Sequence, residues 1–172
     1  NPCGAFASDD PLGERRFYED VTSYRYDTQP FMRELIGFEC YRGNRILEVG
    51  CGLGTDLLQF VKGGATAVGI DLSSQSIALA DRHFRVFGIQ GSFMRGDAEN
   101  LPFPDGSFDV VYSFGVLHHV PDTQRAIDEC YRVLKPGGKL ILMLYNRRSW
   151  HSLVEPYIMA AKRWVLRQPI PP

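Results

Sequence analysis

The stretch RILEVGCGLGTD, residues 45–56, decides the fold of this chain. An apolar run at 45–49 predicts a β-strand, and glycines follow at alternate positions 50, 52 and 54. Glycines in this pattern allow positive φ angles and let the backbone approach a ligand closely. A helical pattern begins at Thr55. A strand that passes through such a loop into a helix predicts the first half of a βαβ unit, whose strands pair in parallel.

The rest of the chain repeats this alternation of strand and helix. Residues 135–138 (KPGG) predict a turn, and Ser73 and Asp122 predict N-caps of two helices, the second reaching Leu134. Apolar runs predict further strands at 66–70, 92–95, 108–114 and 139–145. We therefore predict an α/β fold with a doubly wound, mainly parallel sheet and helices on both faces. Such sheets bind ligands beyond the carboxyl ends of the strands, where the strand order reverses.

Composition and charge narrow the class of protein. The 172 residues, 44% apolar and with a net charge of −1, predict one globular domain. No apolar run approaches the ~20 residues that span a membrane. The four scattered cysteines have no metal-ligand spacing, which favours reduced thiols and a cytoplasmic location. Residues 1–138 carry 13 basic and 19 acidic side chains (−6), so the body is not expected to bind nucleic acid.

Two carboxylates narrow the class of ligand. Residue 55 is Thr, so the loop departs from the G-x-G-x-x-G spacing of NAD-binding folds, and Glu48 would repel a pyrophosphate. Asp71 follows Gly50 by 21 residues, at the end of the second strand, where a carboxylate can accept both ribose hydroxyls. The pattern therefore favours a ribose with a positive charge and no phosphate, as in S-adenosylmethionine. A glycine turn with only a structural role is the alternative.

Four blocks carry a resemblance to a known family. They are ILEVGCGLGTD, VGIDLS, GDAENLPFPDGSFDVVYSFGVLHHVPD and RVLKPGGKLILM, within residues 44–145. In order and spacing they are similar to the class I S-adenosylmethionine-dependent methyltransferases, in the small-molecule branch called methyltransferase type 11 or ubiquinone-biosynthesis-like.

The resemblance implies a cofactor site. Glycines 50, 52 and 54 would line the methionine and ribose part with Glu48 and Cys51, and Asp71 would hold the ribose. The adenine would lie against Leu72, Asp97, Ala98 and Glu99, and the methionine side would be closed by Ser113 and Phe114. One tyrosine of a leading helix would cover the methionine end, and the candidates are Tyr18, Tyr24 and Tyr26.

His118 and His119 follow the fourth strand, in a segment that borders the substrate cavity in this family. A neutral imidazole there can remove a proton from an attacking hydroxyl at physiological pH. Analogy with related O-methyltransferases places His118 ahead of His119 as the base. The alternative is that one imidazole packs on the adenosine pocket and the other is solvated.

The resemblance implies methyl transfer from S-adenosylmethionine to a small molecule, at an O, N, S or C atom. The Asn/Asp-Pro-Pro-Tyr signature of enzymes that methylate nucleic-acid amino groups is absent where Ser113 and Phe114 stand. A non-catalytic or truncated module that only binds the cofactor is the alternative, and NAD-dependent oxidoreduction is a disfavoured third.

The predicted organisation has three parts. Residues 1–43 form a helical leader, 44–145 the cofactor-binding core and 146–172 an amphipathic helical tail. The tail stands where the family has its last two strands, so we expect the sheet to lack that pair. Residues 139–172 carry +5, from 6 basic and 1 acidic side chains, and an apolar stripe in 150–165. We predict homo-oligomer formation through 146–167; folding of the tail onto its own sheet is the alternative, and a membrane surface a weaker one.

Overall fold

A computed structural model describes residues 7–145, which form a five-stranded parallel sheet with helices on both faces. The strand order is β3-β2-β1-β4-β5. The strands are β1 (Arg45–Val49), β2 (Thr66–Asp71), β3 (Ser92–Arg95), β4 (Phe108–Phe114) and β5 (Leu134–Met143). The predicted doubly wound parallel sheet is confirmed.

The strand order reverses at β1, which is the centre of the sheet. The chain runs outward from β1 through β2 to β3, then returns to place β4 on the other side of β1. Glu48 of β1 is in register with Gly69 of β2 and with Tyr112 of β4. The crevice beyond the carboxyl ends of β1 and β4 is therefore where a ligand site is expected.

Helices cover both faces of the sheet. On one face the core contains Ile46, Tyr112 and Phe60, and on the other it contains Leu47, Val111 and Cys130 of the last helix. Both sets are almost completely buried, as expected for strands covered on both faces. The helices are α1 (Arg15–Thr28), α2 (Phe31–Ile36), α3 (Thr55–Lys62), α4 (Ser74–Val86) and α5 (Thr123–Arg132), with short 3₁₀ turns at Phe38–Tyr41 and Leu117–His119.

Both predicted N-caps are confirmed. The Ser73 hydroxyl accepts a hydrogen bond from the Ser76 N–H at 3.2 Å, and the Asp122 carboxylate accepts one from the Arg125 N–H at 3.0 Å. Each bond satisfies one of the free N–H groups at a helix start. Helix α5 ends at Arg132 rather than at Leu134, because Leu134 already pairs with Phe108 in the sheet.

The predicted turn at 135–138 is wrong, because these residues lie inside β5. The pairing moves from Phe108 with Leu134 directly to Val110 with Lys139, so extra residues bulge out of the ladder. Gly137, at φ +78°, adopts the left-handed conformation that this bulge needs. The strand ends at Met143, two residues before its predicted end.

Strand β5 is an edge of the sheet formed by residues 7–145. No helix in this range combines the length and apolarity required to cross a bilayer. The expected loss of the last strand pair, the amphipathic tail and its role in association concern residues 146–172, outside the described part of the chain.

Candidate functional site

A cavity of about 390 Å³ opens at the carboxyl ends of β1, β2 and β4, where the strand order reverses. Its volume lies within the range of small-molecule sites. It is lined by Val49, Gly50, Ile70, Asp71, Leu72, Gly96, Asp97, Ala98, Glu99, Gly115, Val116, His119, Val120 and Pro121. Six predicted cofactor residues and one predicted histidine are therefore brought together.

Asp71 ends β2 at the wall of this cavity. One carboxylate oxygen accepts the Gly52 N–H and the other accepts the Ser73 N–H, both at 2.9 Å. These bonds fix the carboxylate between the glycine loop and α4. Each oxygen of an ionised carboxylate has two lone pairs, so both can accept one further hydrogen bond from a ligand.

The opposite wall is the segment after β3, which α5 holds in place. The Glu99 carboxylate accepts the Asp122 N–H at 2.8 Å, and Arg125 Nε donates to the Glu99 carbonyl at 2.9 Å. The Asp97 carboxylate accepts the Glu99 N–H at 2.9 Å. Leu72, 67% exposed, and Ala98 supply apolar surface on the two walls.

Two positions of the loop require glycine for different structural reasons. Gly50 has φ +75°, and a Cβ there would lie 2.4 Å from Val116 Cγ1, so only glycine allows the segment after β4 to close on the loop. Gly52 has φ +52° and open space where its Cβ would be. The loop backbone is therefore exposed to a ligand at Gly52.

Glu48 precedes the loop and is buried, with 5% of its surface exposed. It accepts the Leu57 N–H, but its Oε2 atom has no hydrogen-bond partner within residues 7–145. Burial, with the nearby Asp56 carboxylate, raises the pKa of Glu48 well above its usual value. Burial together with Glu48 and Asp71 also raises the pKa of Cys51 well above its ordinary value.

Sequence reasoning missed a buried polar network around Asp56, which is 2% exposed. Arg25 of α1 donates two hydrogen bonds to its carboxylate, the Nε bond at 2.6 Å. The Tyr26 and Tyr112 hydroxyls donate at 2.8 and 2.7 Å. The sequence could have indicated that Asp56 is buried, because it lies one helical turn before Phe60, on the buried face of α3.

The predicted tyrosines occupy three environments. The Tyr18 hydroxyl donates to the Leu79 carbonyl at 2.7 Å, and its ring stacks on His83 at 4.1 Å. His83 Nδ1 in turn lies 2.8 Å from the carbonyl of Leu53 in the glycine loop. Tyr26 binds Asp56, and Tyr24 is 44% exposed. Among the residues that line the cavity there is no tyrosine of α1.

The two histidines are placed differently. His119 is exposed and lines the cavity. His118 is half-buried, with ring centroids 4.0 Å from His119 and 4.3 Å from Tyr145, and neither ring nitrogen has a partner in the described part of the chain. Loss of water contact and the neighbouring His119 lower the pKa of His118. A lowered pKa favours the neutral form of the His118 imidazole.

Ser113 and Phe114, at the end of β4, lie beside the cavity rather than among its lining residues. The Ser113 hydroxyl donates to the Val49 carbonyl at 2.8 Å, which ties β4 to β1 at the crevice. The Phe114 ring lies 5.1 Å below the Arg25 guanidinium. The lining residues that the sequence did not single out are Val49, Ile70, Gly96, Gly115, Val116, Val120 and Pro121.

Comparison with known proteins gives one family and several relatives. The family model described as "Methyltransferase domain" matches residues 47–142. A ubiquinone biosynthesis O-methyltransferase of Methylococcus capsulatus is 34% identical over 139 residues, which are 80% of this chain and 56% of that protein. The chain spans between 32% and 56% of the length of such curated relatives.

Solved structures agree with this family. The YcgJ protein of Bacillus subtilis superposes with a TM-score of 0.66 at 27% identity, over 78% of this chain and 58% of that one. The [4+2]-cyclase SpnF superposes with a TM-score of 0.59 at 32% identity, over 72% of this chain and 45% of that one. The fold therefore includes one relative named for a reaction other than methyl transfer.

Proposed function

Because the chain belongs to the methyltransferase domain family, we propose that it binds S-adenosylmethionine and catalyses methyl transfer to a small-molecule acceptor. One observation carries this proposal: a cavity of about 390 Å³ at the switch point of the sheet, with the Asp71 carboxylate fixed on its wall. The acceptor is proposed as a class only, with the atom that is methylated left open.

The cavity residues fit the nucleoside part of this cofactor. Asp71 would accept the two ribose hydroxyls through the lone pairs that Gly52 and Ser73 leave free. Leu72 and Ala98 would contact the faces of the adenine, and the Asp97 carboxylate would accept from its amino group. Glu99 would hold this wall in place through its bonds to α5.

The loop side fits the amino-acid part. Glu48 has an unpartnered Oε2 within residues 7–145, and a cation is the partner that such a buried carboxyl lacks. Gly50, Gly52 and Gly54 would keep the backbone close to the ligand, with Cys51 packed beneath. This side of the site would be bounded by Ser113 and Phe114. It would be supported by Tyr18 through its stacking on His83, and by Tyr26 through its hydrogen bond to Asp56.

S-adenosylmethionine, when bound, supplies a methyl group on a positively charged sulfur. The protein then has to hold the acceptor atom in line with that group, which lowers the barrier mainly by proximity and orientation. For a hydroxyl acceptor, we propose that His118 removes its proton, since the neutral ring has unpartnered nitrogens in the described structure. His119 would border the cofactor instead.

The cofactor assignment is tested with S-adenosylhomocysteine, the product form, by calorimetric titration of the chain. Asp71→Asn should weaken binding at least tenfold, since charge-assisted hydrogen bonds contribute about 1.5–3 kcal/mol each. Asp105→Asn is the matched control, because its side chain is 82% exposed and it lies before the amino end of β4, whereas the cavity lies at the carboxyl end. A loss below about threefold, about 0.65 kcal/mol, for Asp71→Asn would refute the ribose assignment.

The similarity to a [4+2]-cyclase supports a second candidate, a module that binds the cofactor without transferring its methyl group. Turnover with a panel of small hydroxyl, amine and thiol acceptors separates the two. Transfer of a labelled methyl group to any of them supports the first proposal. Tight binding of S-adenosylhomocysteine without any transfer supports the second. We also propose a cytoplasmic location, based on the scattered thiols alone.

A further inference from the structure

Two buried carboxyl groups flank the glycine loop in the sequence and interact electrostatically. Glu48 is on β1 and is 5% exposed, and Asp56 is on α3 and is 2% exposed. We call these two residues with Arg25, Tyr26 and Tyr112 the buried acidic cluster. Only one of its members carries a positive charge. Two ionised carboxylates with one cation would leave an uncompensated negative charge in the protein interior.

The single cation is committed to Asp56. Arg25 uses both Nε and Nη2 on the two oxygens of this carboxylate, and each oxygen also accepts a tyrosine hydroxyl. Four donors thus converge on Asp56, which is the arrangement that a buried ionised carboxylate requires. Within residues 7–145 none of these donors bonds to Glu48, whose Oε2 has no partner.

Glu48 has the opposite surroundings. It receives one backbone N–H, from Leu57, and its Oε2 is unpartnered within residues 7–145. An ionised carboxyl in this place would be poorly solvated, and the nearby Arg25 cation is already bonded to Asp56. The titratable groups that face it are Arg25 and Tyr26 of α1, Asp56 of α3, Tyr112 of β4, Asp71 at the end of β2 and Cys51 of the loop.

We propose that the Glu48 carboxyl holds a proton in the free protein and releases it to solvent when a cationic ligand group binds beside it. The proton leaves the Glu48 oxygen for a buffer base, and the carboxylate then pairs with the ligand cation. The cluster ends with two carboxylates and two cations. Glu48 is not among the cavity-lining residues, but Val49 and Gly50, the next residues in the chain, are, and the ligand cation would extend past them to Glu48.

This inference rests on the proposed function, because it takes the cation to be the amino group of S-adenosylmethionine. Its product form keeps the amino group and has lost the sulfonium charge, so S-adenosylhomocysteine isolates the contribution of the ammonium. Proton release is then a property of binding, separate from methyl transfer, and is measured without any acceptor.

The experiment is calorimetric titration of the full chain with S-adenosylhomocysteine at pH 7, in phosphate and in Tris. These buffers differ in ionisation enthalpy, so the difference between the two heats gives the protons released. We expect about one proton per ligand, and an affinity that rises up to about tenfold per pH unit below the pKa of Glu48. Glu48→Gln, which mimics the protonated side chain, should bind with equal heats in both buffers and without this pH dependence.

A second ligand provides the matched control. 5′-Methylthioadenosine has the adenosine but no ammonium group, so it should bind with no proton release. Equal heats for S-adenosylhomocysteine in the two buffers would overturn the inference and leave the proposed function intact. Release that persists in Glu48→Gln would assign the proton to another group and overturn it as well. Absence of S-adenosylhomocysteine binding would overturn both proposals.

Discussion

Asp56→Asn tests how much the buried ion pair contributes to folding. The substitution keeps the shape of the side chain but leaves the Arg25 guanidinium without its counter-ion beneath α1. Removing one charge of a buried pair costs about 3–5 kcal/mol. Arg25 keeps 25% of its side chain exposed, so we expect the lower end, about 3 kcal/mol. For a chain of this size this is a fall in melting temperature of about 6–12 °C.

The assay is urea and thermal unfolding followed by circular dichroism. Asp81→Asn is the matched control, since it removes the same charge from an Asp81–Arg85 pair whose side chains are 44% and 73% exposed. Exposed pairs contribute under about 0.5 kcal/mol. Adding Arg25→Met to Asp56→Asn should recover part of the loss, because no charge is then left unpaired. A loss for Asp56→Asn no larger than that for the control would refute the reasoning.

Two further predictions concern histidines. His118→Ala should lower the turnover of a hydroxyl acceptor about 100-fold and leave the affinity for S-adenosylhomocysteine unchanged. His119→Ala should instead weaken that affinity. If His118→Ala lost rate and affinity in parallel, its role as the base would be contradicted. Burial lowers the pKa of His83 from 6.5 to about 4. As the pH falls below 6.5, the unfolded chain therefore takes up a proton on His83 that the folded protein does not. The free energy of unfolding should then fall by about 3 kcal/mol towards pH 4. His83→Asn keeps a donor for the Leu53 carbonyl and should remove this part of the pH dependence of stability, measured by urea titration. If the stability of the wild type and of His83→Asn varied identically with pH, His83 would not be its source.

Most of the fold follows from local patterns in the sequence. The strand at 45–49, its glycine loop and the caps at Ser73 and Asp122 are short-range features, and each was predicted where the structure has it. The interruption within β5 was not predicted as a bulge, because it depends on how Leu134 and Lys139 align with a different strand. Pattern alone cannot distinguish such a bulge from a turn.

The candidate site also has a part that the sequence predicted and a part that it did not. Asp71, Asp97 and their neighbours were predicted because strand ends are visible in the sequence and a family resemblance gave them roles. The Arg25–Asp56 pair was missed because its members are 31 residues apart. Arg25 stands in no motif, and Asp56 ends the block ILEVGCGLGTD without a role assigned to it. Val116 was missed for a related reason: its contact with Gly50 exists only once β4 lies beside β1.

The dependence of the cavity on α5 limits how this domain can be divided. The first residues of this helix support two walls at once: Asp122 and Arg125 hold Glu99, and the Thr123 hydroxyl donates to the Leu117 carbonyl at 3.1 Å. A fragment containing the glycine loop but ending before residue 122 would keep the floor of the cavity and lose what fixes its sides. The smallest fragment that keeps both walls of the cavity therefore extends past the glycine loop and past β4, into a helix on the opposite face of the sheet from α3.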